Sequence, residues 1–442
     1  MNLFVSLDPA DLPRFRAQTI LKSCRLGSSQ TRVERGPVCE TEDFLALRQQ
    51  FGKPLEEQSI QTTRSPIGGA KWRAEMSVES AELDAGDKMA RTCRVGFHLI
   101  EGGMAPLAAL LMGLADRVPL QLANGSRWDA AFEQLRDGPP PPVKAKAPSL
   151  AANIGNAHAL KLIARASLAH LMANHHCLLA TGAPESIHQM RVALRRLRSA
   201  MSLFKIMLQD PQSQDLAEEL RWMQGCLGMA RDGDVLMSEL LAPLDQEFHG
   251  APGFDKLMRL ADERRKANRQ VLQADMSSPR FNKCLLRLAC WIEEVGRHHP
   301  LAEEPVKELA LATLDKRYKR VKKQMALFHS LDEEERHRVR IQVKKLRYSI
   351  DFFGGIISDR RAAKMTAQLA EVQEAFGQLN DIASGTRLLQ SIAERAPAPE
   401  VSWAAGLVAG WHRKRVDDLL NQAWTLWHEL ERTPPFWKVA EN

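Results

Sequence analysis

Two segments of this chain place a histidine and a row of basic side chains at the same spacing. The first begins at His188 and the second at His337, an offset of 149 residues. In each segment bases follow the histidine at +3, +7 and +10, and these positions share one face of a helix. Charged donors in such a row form charge-assisted hydrogen bonds, so the spacing predicts a site for an anion with several phosphates. The rows are His188, Arg191, Arg195 and Arg198 in the first segment, and His337, Arg340, Lys344 and Arg347 in the second.

An apolar stripe accompanies each basic row. One row alone is also compatible with a solvated helix face, but two rows of equal spacing beside apolar stripes favour binding. Cations held next to a core repel one another, so we expect an anionic partner to offset that cost. If both helices line one groove, their cations suit a polymer of phosphates, because each contact releases counterions. The stripe residues are Ile187, Met190, Leu194, Leu197, Met201 and Phe204 in the first segment, and Val339, Val343, Leu346, Ile350 and Phe353 in the second.

The same offset of 149 residues relates further segments. An ungapped period that recurs in three places indicates an internal duplication. We therefore expect two helical units of about four helices each, over about residues 151–299 and 300–442. The further aligned pairs are Gly228 with Gly377, Asp232 with Asp381, and residues 263–266 with 412–415.

Four consecutive prolines at residues 139–142 mark a boundary along the chain. Such a run fits neither a helix nor a central strand, so residues 138–150 are predicted to be a stiff linker. The preceding residues 1–137 mix short apolar runs with turn residues, which indicates a smaller α+β domain. Residues 151–442 show helical periodicity almost throughout. The predicted fold class is therefore mainly α, with a pair of four-helix bundles after an α+β domain.

Composition restricts the compartment and the partners. The net charge is +7 over 442 residues and nearly all of the excess follows residue 150, which favours anionic partners for the helical part. Seven cysteines without a C-x-x-C pair disfavour a disulfide framework or a zinc knuckle and favour a reducing compartment. The amino-terminal residues lack a signal-peptide pattern, and no apolar run is long enough to span a bilayer. We expect a cytoplasmic protein with no membrane partner; the sequence does not specify its oligomeric state.

The motifs of the helical part resemble a known family. H-x-x-R-V-x-x-R-R-L-R, L-G-x-x-R-D-x-D-V, H-x-x-R-I-x-x-K-K-L-R-Y and F-G-x-L-N-D are similar to those of the conserved histidine α-helical domain, CHAD, over about residues 151–435. The resemblance implies two pseudo-symmetric bundles around a basic cavity that binds inorganic polyphosphate, and association with polyphosphate granules. It implies as binding residues the eight members of the two rows, with Arg196, Lys345, Arg264, Arg265, Arg413 and Lys414 as secondary candidates.

The N-terminal residues resemble a second family. Leu7-Asp-Pro-Ala-Asp-Leu-Pro13, the segment from Gly102 to Leu111, residues 118–122 and Ser126-Arg127 are similar to the CYTH domain, a triphosphate tunnel fold often fused ahead of CHAD. That family holds a metal with E-x-E-x-K on its first strand, whereas Asn2–Leu7 carries neither the glutamates nor the lysine. Without those carboxylates a divalent ion is hard to place, so the resemblance implies a degenerate, inactive domain. Glu40, Glu75, Glu79 and Glu101 are acidic candidates there, with surface positions as the default.

Other polar groups favour structural roles. We interpret Asp232, Asp234 and Asp381 as residues at helix-to-helix junctions and not as metal ligands. The adjacent pairs His175-His176 and His298-His299 lack the spacing of a chelate. The basic run Lys316–Lys323 either widens the groove or faces solvent.

The combined prediction is non-catalytic binding of inorganic polyphosphate in a basic groove between the two helical units, without a metal or cofactor, and targeting to polyphosphate granules. One alternative is a metal-dependent triphosphate or polyphosphate hydrolase that uses the N-terminal domain. The other is a nucleic-acid-binding protein. The chain has only two tyrosines, and neither row has an aromatic residue between its bases, which disfavours base stacking.

Overall fold

The computed structural model describes residues 2–36, 57–84, 88–123, 129–151, 153–357, 359–396 and 398–438. Glu40, which was a candidate acidic residue, and Ser126-Arg127, which contributed to the CYTH resemblance, lie outside these ranges. None of the helices within the described ranges is both long and apolar enough to cross a bilayer.

An antiparallel sheet forms the core of the N-terminal part. Its described strands run in the order β2-β3-β4-β5-β1-β6, and β1 pairs with β5 so that Val5 lies opposite Val95. Alternate side chains of β4 are buried, as expected for a strand with one face on a core. The α+β texture predicted for this part is therefore confirmed. The strands are β1 (Asn2–Leu7), β2 (Gln30–Gly36), β3 (Glu57–Gly69), β4 (Trp72–Asp84), β5 (Met89–Glu101) and β6 (Gln121–Leu122).

Helix α3 connects the sheet to the rest of the molecule. Its buried leucines, among them Leu107, Leu111 and Leu114, belong to the same apolar core as the sheet and the later helices. At its start, the Met104 amide donates to Glu294 at 3.0 Å, and beyond its end Asp116 pairs with Lys283. The N-terminal helices are α1 (Leu12–Arg16), α2 (Thr19–Cys24), α3 (Met104–Ala115) and α4 (Asp129–Leu135).

The proline segment lies against the first long helix that follows it. The Val143 amide donates to Asn174 Oδ1 at 3.0 Å, and the Val143 carbonyl accepts from Asn174 Nδ2 at 2.9 Å. His170 Nε2 also lies 2.9 Å from that carbonyl. These contacts fix the middle of the segment to the surface of the helical part.

Helices make up the described chain after the linker, as predicted. Gly182 ends α5 with a left-handed φ of 62°, Pro184 begins α6, and the Asp210 carboxylate caps α7 through the Ser213 amide at 2.8 Å. Asp332 and Glu335 form a capping box at the start of α12. The helices are α5 (Asn156–Thr181), α6 (Pro184–Leu203), α7 (Pro211–Val235), α8 (Asp245–Phe248), α9 (Phe254–Met276), α10 (Pro279–Glu294), α11 (Val306–Met325), α12 (Glu333–Ile357), α13 (Asp359–Arg395), α14 (Pro399–Arg413) and α15 (Val416–Glu431).

Four helices form the centre of the helical part. Helices α6 and α12, which carry the two basic rows, contact each other, and α7 contacts α13. Phe204 and Phe353 are the last stripe residues of the two segments and occupy equivalent positions by the 149-residue offset. Both are fully buried, and their rings meet edge to face with centroids 6.2 Å apart. The two apolar stripes therefore join in one core.

We expect Phe204→Ala and Phe353→Ala each to lower the free energy of unfolding by about 3–5 kcal/mol, because each leaves a cavity where the two stripes meet. In a double-mutant cycle measured by urea denaturation, the aromatic pair should show a coupling of about 0.5–1.5 kcal/mol. The control is Ile206→Ala, at a residue that is 58% exposed. It should change the free energy of unfolding by about 0.5 kcal/mol or less. Additive effects of the two phenylalanine variants would contradict the direct contact.

Candidate anion-binding site

The apolar stripes position the basic rows. On α6, Ile187, Met190 and Leu194 are fully buried, and on α12 the same holds for Val339 and Val343. Because these residues fix the rotation of each helix about its axis, the cations one position further round lie at the border between core and solvent. The amphipathic pattern predicted for both segments is confirmed.

The +3 and +7 members of both rows share one site. Burial and the neighbouring Arg340 and Arg195 lower the pKa of Lys344 to about 7, and Arg191 adds to this effect. Burial also lowers the pKa of Arg340, and Arg195 of the other row acts in the same direction. Arginine nevertheless stays charged at neutral pH, so the site holds three guanidinium groups and a readily titrated amine. We refer to Arg191, Arg195, Arg340 and Lys344 as the central cluster.

Two aspartates lie against the central cluster. Asp232 lies 4.0 Å from Arg191, and burial raises the pKa of both Asp232 and Asp381 although nearby arginines counteract it. Arg340 donates to Asn380 Oδ1 at 2.7 Å, and Asn380 donates to Asp381 at 3.5 Å. The interpretation of Asp232, Asp381 and also Asp234 as helix-junction residues is wrong, since all three lie inside continuous helices, α7 and α13.

Two arginines at the site have no place in the basic rows. The charge of Arg231 lowers the pKa of His188, Arg191, Asp232 and Asp381. The charge of Arg387 lowers the pKa of Asp232 and His337. They belong to α7 and α13, so only the packing of these helices brings them to the rows. For Arg231, the sequence signal that could have indicated a role at the site is its place directly before Asp232 in the motif L-G-x-x-R-D-x-D-V.

Several donors of the central cluster are buried without an acceptor. Among the described residues, no hydrogen-bond partner reaches Arg191 Nη1, Arg195 Nε or Arg340 Nε. A buried donor left unpaired costs about 1–3 kcal/mol, so such groups are normally satisfied by a ligand or by water. Gly228 keeps room for one of them, because a Cβ there would lie 3.1 Å from Arg191 Nη1.

The two histidines occupy different surroundings. His188 is half-buried. Its pKa is lowered mainly by burial and further by the positive charges of Arg231 and Arg195. His337 is more exposed, with its pKa lowered by burial and Arg340, while Asn380 hydrogen bonds to it. Both imidazoles are therefore disposed to be neutral in the free protein and to gain a proton next to an anion.

The +8 and +10 positions point to other partners. Arg196 is buried, 3.7 Å from Asp351 and over the ring of Phe352, and Arg347 lies 4.0 Å from the same carboxylate. Arg198 donates to Gln224. Lys345 lies beside Arg198, Arg317 and Arg320, and burial is the main cause that lowers its pKa. The structure thus places these four residues outside the central cluster.

The secondary candidates are dispersed. Arg264 donates to Ser391 at 3.0 Å, and Arg265 to Asp262 at 2.5 Å. Arg413 and Lys414 are exposed at the end of α14. In the basic run Lys316–Lys323, Lys319 pairs with Asp315 at 2.6 Å and Lys322 with Glu431 at 2.7 Å, so the solvent-facing interpretation applies to these two lysines.

A cavity of about 770 Å³ opens from the second basic row. It lies between the first turns of α12, the middle of α13 and the junction of α14 with α15. We refer to it as the His337 cavity. Its polar wall includes Arg336, His337, Arg340, Asn380, Arg387 and Arg413.

Comparison with known proteins identifies the helical part. The model of the CHAD domain family matches residues 162–390, which is more than half of the chain. This chain belongs to the CHAD domain family. The CHAD resemblance predicted from the motifs is therefore confirmed.

Solved structures agree with the CHAD assignment. The crystal structure of the CHAD domain from the plant Ricinus communis matches with a TM-score of 0.60 and 29% identity, over 67% of this chain and 98% of that chain. PptA from Streptomyces chartreusis matches with a TM-score of 0.50 and 20% identity, over 62% of this chain and 99% of that one, and supports the fold alone. An uncharacterised protein of Mycobacterium tuberculosis is 27% identical over 236 residues, in strains CDC 1551 and H37Rv. The aligned residues are 51% of this chain and 44% of that relative, so this chain spans less than half of its length.

Two of the remaining polar candidates of the CHAD domain contact neighbouring groups of the fold. His175 Nε2 lies 2.9 Å from the Met276 carbonyl, and burial lowers its pKa to about 4. Asp234 is buried and accepts from Arg269 at 2.6 Å. Among the described residues, no group of three or more histidine, cysteine, aspartate or glutamate side chains is placed to hold a metal ion.

Lys344 should make the stability of the CHAD domain depend on pH. Below about pH 7 both folded and unfolded chains carry the Lys344 proton, and the buried charge destabilises the fold. Between about pH 7 and 10.5, the ordinary pKa of a lysine, only the unfolded chain keeps the proton. The unfolded state then binds more protons, so stability rises with pH. Lys344→Met should therefore raise the urea midpoint at pH 6, and this gain should disappear by about pH 10.5.

The matched control is Lys316→Met on the exposed face of α11, which should leave the midpoint unchanged at both pH values. A gain from Lys344→Met that is equal at all pH values would show that packing, and not charge, limits stability at this position.

Proposed function

We propose that this protein binds inorganic polyphosphate, without catalysis, at the central cluster between α6 and α12. The observation that carries the proposal is that cations from two helices share one site while buried Arg195 Nε and Arg340 Nε find no acceptor among the described residues. Charged donors that outnumber Asp232 and Asp381, the two carboxylates beside them, favour an anionic ligand.

The spacing of the cluster favours a chain over a single phosphate. Residues four apart on a helix are separated by about 6 Å along its axis, so Arg191 and Arg195 form a row of donors along α6 and not a single point of charge. The same spacing recurs from Arg340 to Lys344. A polymer of phosphates presents oxygens along its length, and each cation it contacts releases a counterion from it.

We further propose that the CHAD domain arose by an internal duplication, with units over about residues 151–299 and 300–442. Support comes from the 149-residue offset, which relates Pro184 to Glu333, the first residues of α6 and α12. It also relates Asp232 to Asp381, and the negative charge of each raises the pKa of both Arg191 and Arg340. The polyphosphate site then lies between the units and belongs to neither alone.

For the N-terminal part we propose a degenerate, inactive relative of the CYTH domain. Its antiparallel sheet is compatible with that relationship, and β1 offers Phe4 and Ser6 in a strand without carboxylates. Metal-dependent release of phosphate from a triphosphate would contradict this proposal. The part would then serve as a domain docked on the CHAD helices through α3.

We propose granule targeting as the consequence of binding in a cell. A protein that binds the polymer at one site accumulates wherever the polymer is concentrated. Nucleic acid is the main competing ligand, because backbone contacts to phosphates do not distinguish the two polymers. Competition at equal phosphate concentration between long-chain polyphosphate and DNA separates them, and preference for DNA would overturn the proposal.

Removing the central cluster should abolish binding. We expect Arg191→Ala, Arg195→Ala, Arg340→Ala and Lys344→Ala together to reduce the affinity for long-chain polyphosphate at least 100-fold, because four charge-assisted contacts are lost. Binding is measured by calorimetry at fixed salt, with circular dichroism to verify helicity. The quadruple variant should also lose association with granules.

A surface variant controls for net charge. The control variant replaces four exposed bases of α11 by alanine, namely Lys316, Lys319, Arg320 and Lys323. It also removes four basic side chains, and we expect its affinity for long-chain polyphosphate to fall by less than tenfold. Equal losses in both quadruple variants would mean that overall charge, and not the central cluster, attracts the polymer.

The two aspartates should limit the affinity. Asp232→Asn and Asp381→Asn together remove negative charge that faces Arg191 and Arg340, so we expect polyphosphate to bind at least tenfold more tightly. The same calorimetric titration reports the change. Asp234→Asn is an unsuitable comparison because Arg269 depends on that carboxylate, whereas Asp245→Asn on exposed α8 should change nothing. Weaker binding by the double variant would show that the aspartates orient the arginines and do not compete with the ligand.

A further inference from the structure

The His337 cavity has a composition that a bare phosphate chain does not require. Beside its basic residues it is lined by apolar side chains, those of Leu379, Ile382, Ala383, Val416 and Leu420. Its volume of about 770 Å³ lies within the range of pockets that hold a cofactor or a small organic ligand. Apolar lining beside concentrated cations indicates an anion with an organic part.

The basic wall has free capacity for phosphate. Arg336 Nε and Arg340 Nε are buried and have no hydrogen-bond acceptor within the part of the chain that the structure describes. Arg387 and His337 lie beside them and interact electrostatically with each other. Several cationic groups at one wall suit a ligand with more than one phosphate.

Acidic groups at the same cavity further restrict the class of ligand that fits it. Glu333 and Glu334 lie in the first turn of α12 and line the cavity. Glu334 pairs with Arg338 at 3.4 Å, so Glu333 is the carboxylate that would repel an uninterrupted polyanion. A carboxylate is, however, a suitable acceptor for the hydroxyl groups of a ribose. A ligand that has phosphates at one end and a sugar with an apolar, planar group at the other uses all three surfaces.

We propose that the His337 cavity binds a nucleoside polyphosphate. Its phosphates contact Arg336, Arg340 and Arg387, its ribose lies toward Glu333, and its base packs on the wall of Leu379, Ile382 and Leu420. The inference extends the proposed function, because Arg340 belongs both to this cavity and to the central cluster. The nucleotide and the polymer therefore compete for one guanidinium group, and each weakens the binding of the other.

The test compares ATP with tripolyphosphate by calorimetry on the full chain, at equal salt and without divalent cations. Tripolyphosphate carries more negative charge than ATP because neither end is esterified, so a purely electrostatic site prefers it. We expect ATP to bind at least tenfold more tightly. Equal or tighter binding of tripolyphosphate overturns the proposal, as does the failure of ATP to bind.

A cavity-filling variant identifies the apolar wall. Ala383→Leu adds bulk on the face of α13 that lines the cavity and leaves every cation in place. It should lower the affinity for ATP at least tenfold. Tripolyphosphate and long-chain polyphosphate should bind with the same affinity as before, and the helicity should be unchanged. Arg387→Ala should weaken ATP and tripolyphosphate alike. Unchanged ATP binding in Ala383→Leu would place the nucleotide elsewhere and overturn the assignment.

The outcomes separate the two proposals. If long-chain polyphosphate binds through Arg191 and Arg195 and ATP does not bind, the proposed function stands and the nucleotide site is excluded. If ATP binds and responds to Ala383→Leu while the polymer does not bind, the nucleotide site stands and the proposed function is excluded.

Discussion

The structure depends on holding like charges together beside an apolar seam. Each fully buried aliphatic or aromatic side chain stabilises the fold by about 1.5–3 kcal/mol. Two unit charges about 8 Å apart repel by about 2 kcal/mol at an effective dielectric constant of about 20. The stripes of α6 and α12 bury more than four such side chains each, so burial outweighs the repulsion. The seam that ends at Phe204 and Phe353 therefore keeps the cations together even without a ligand.

The free site reduces its own charge in two ways. Asp232 and Asp381 face the arginines, and Lys344, with a pKa of about 7, gives up its proton readily. The proposed polyanion would reverse the second effect, since negative charge favours the protonated amine. With its proposed ligand bound, such a site would be more positive than when it is empty. The proposed binding is consequently coupled to proton uptake.

Sequence periodicity predicted what depends on one helix. The burial of Met190 and Val343 follows from the helical repeat, as does the common face of Arg191 and Arg195. The repeat did not place Arg231 and Arg387, because they reach the site through packing between helices distant in sequence. Nor did local signals place the aspartates correctly: a glycine followed by Asp is common at helix junctions, yet Asp232 and Asp381 continue long helices.

The 149-residue offset also shows where the two halves of the site differ. Arg231 of α7 corresponds by that offset to Asn380 of α13, so a cation in one half is replaced by an amide in the other. The amide accepts from Arg340 and donates to Asp381, whereas Arg231 adds its charge to Arg191. The second half in turn carries Arg387, where the offset places Ser238 in the first half, and it opens into the His337 cavity. The two halves therefore present different groups to the proposed polymer, with Arg231 on α7 in one half and Arg387 on α13 in the other.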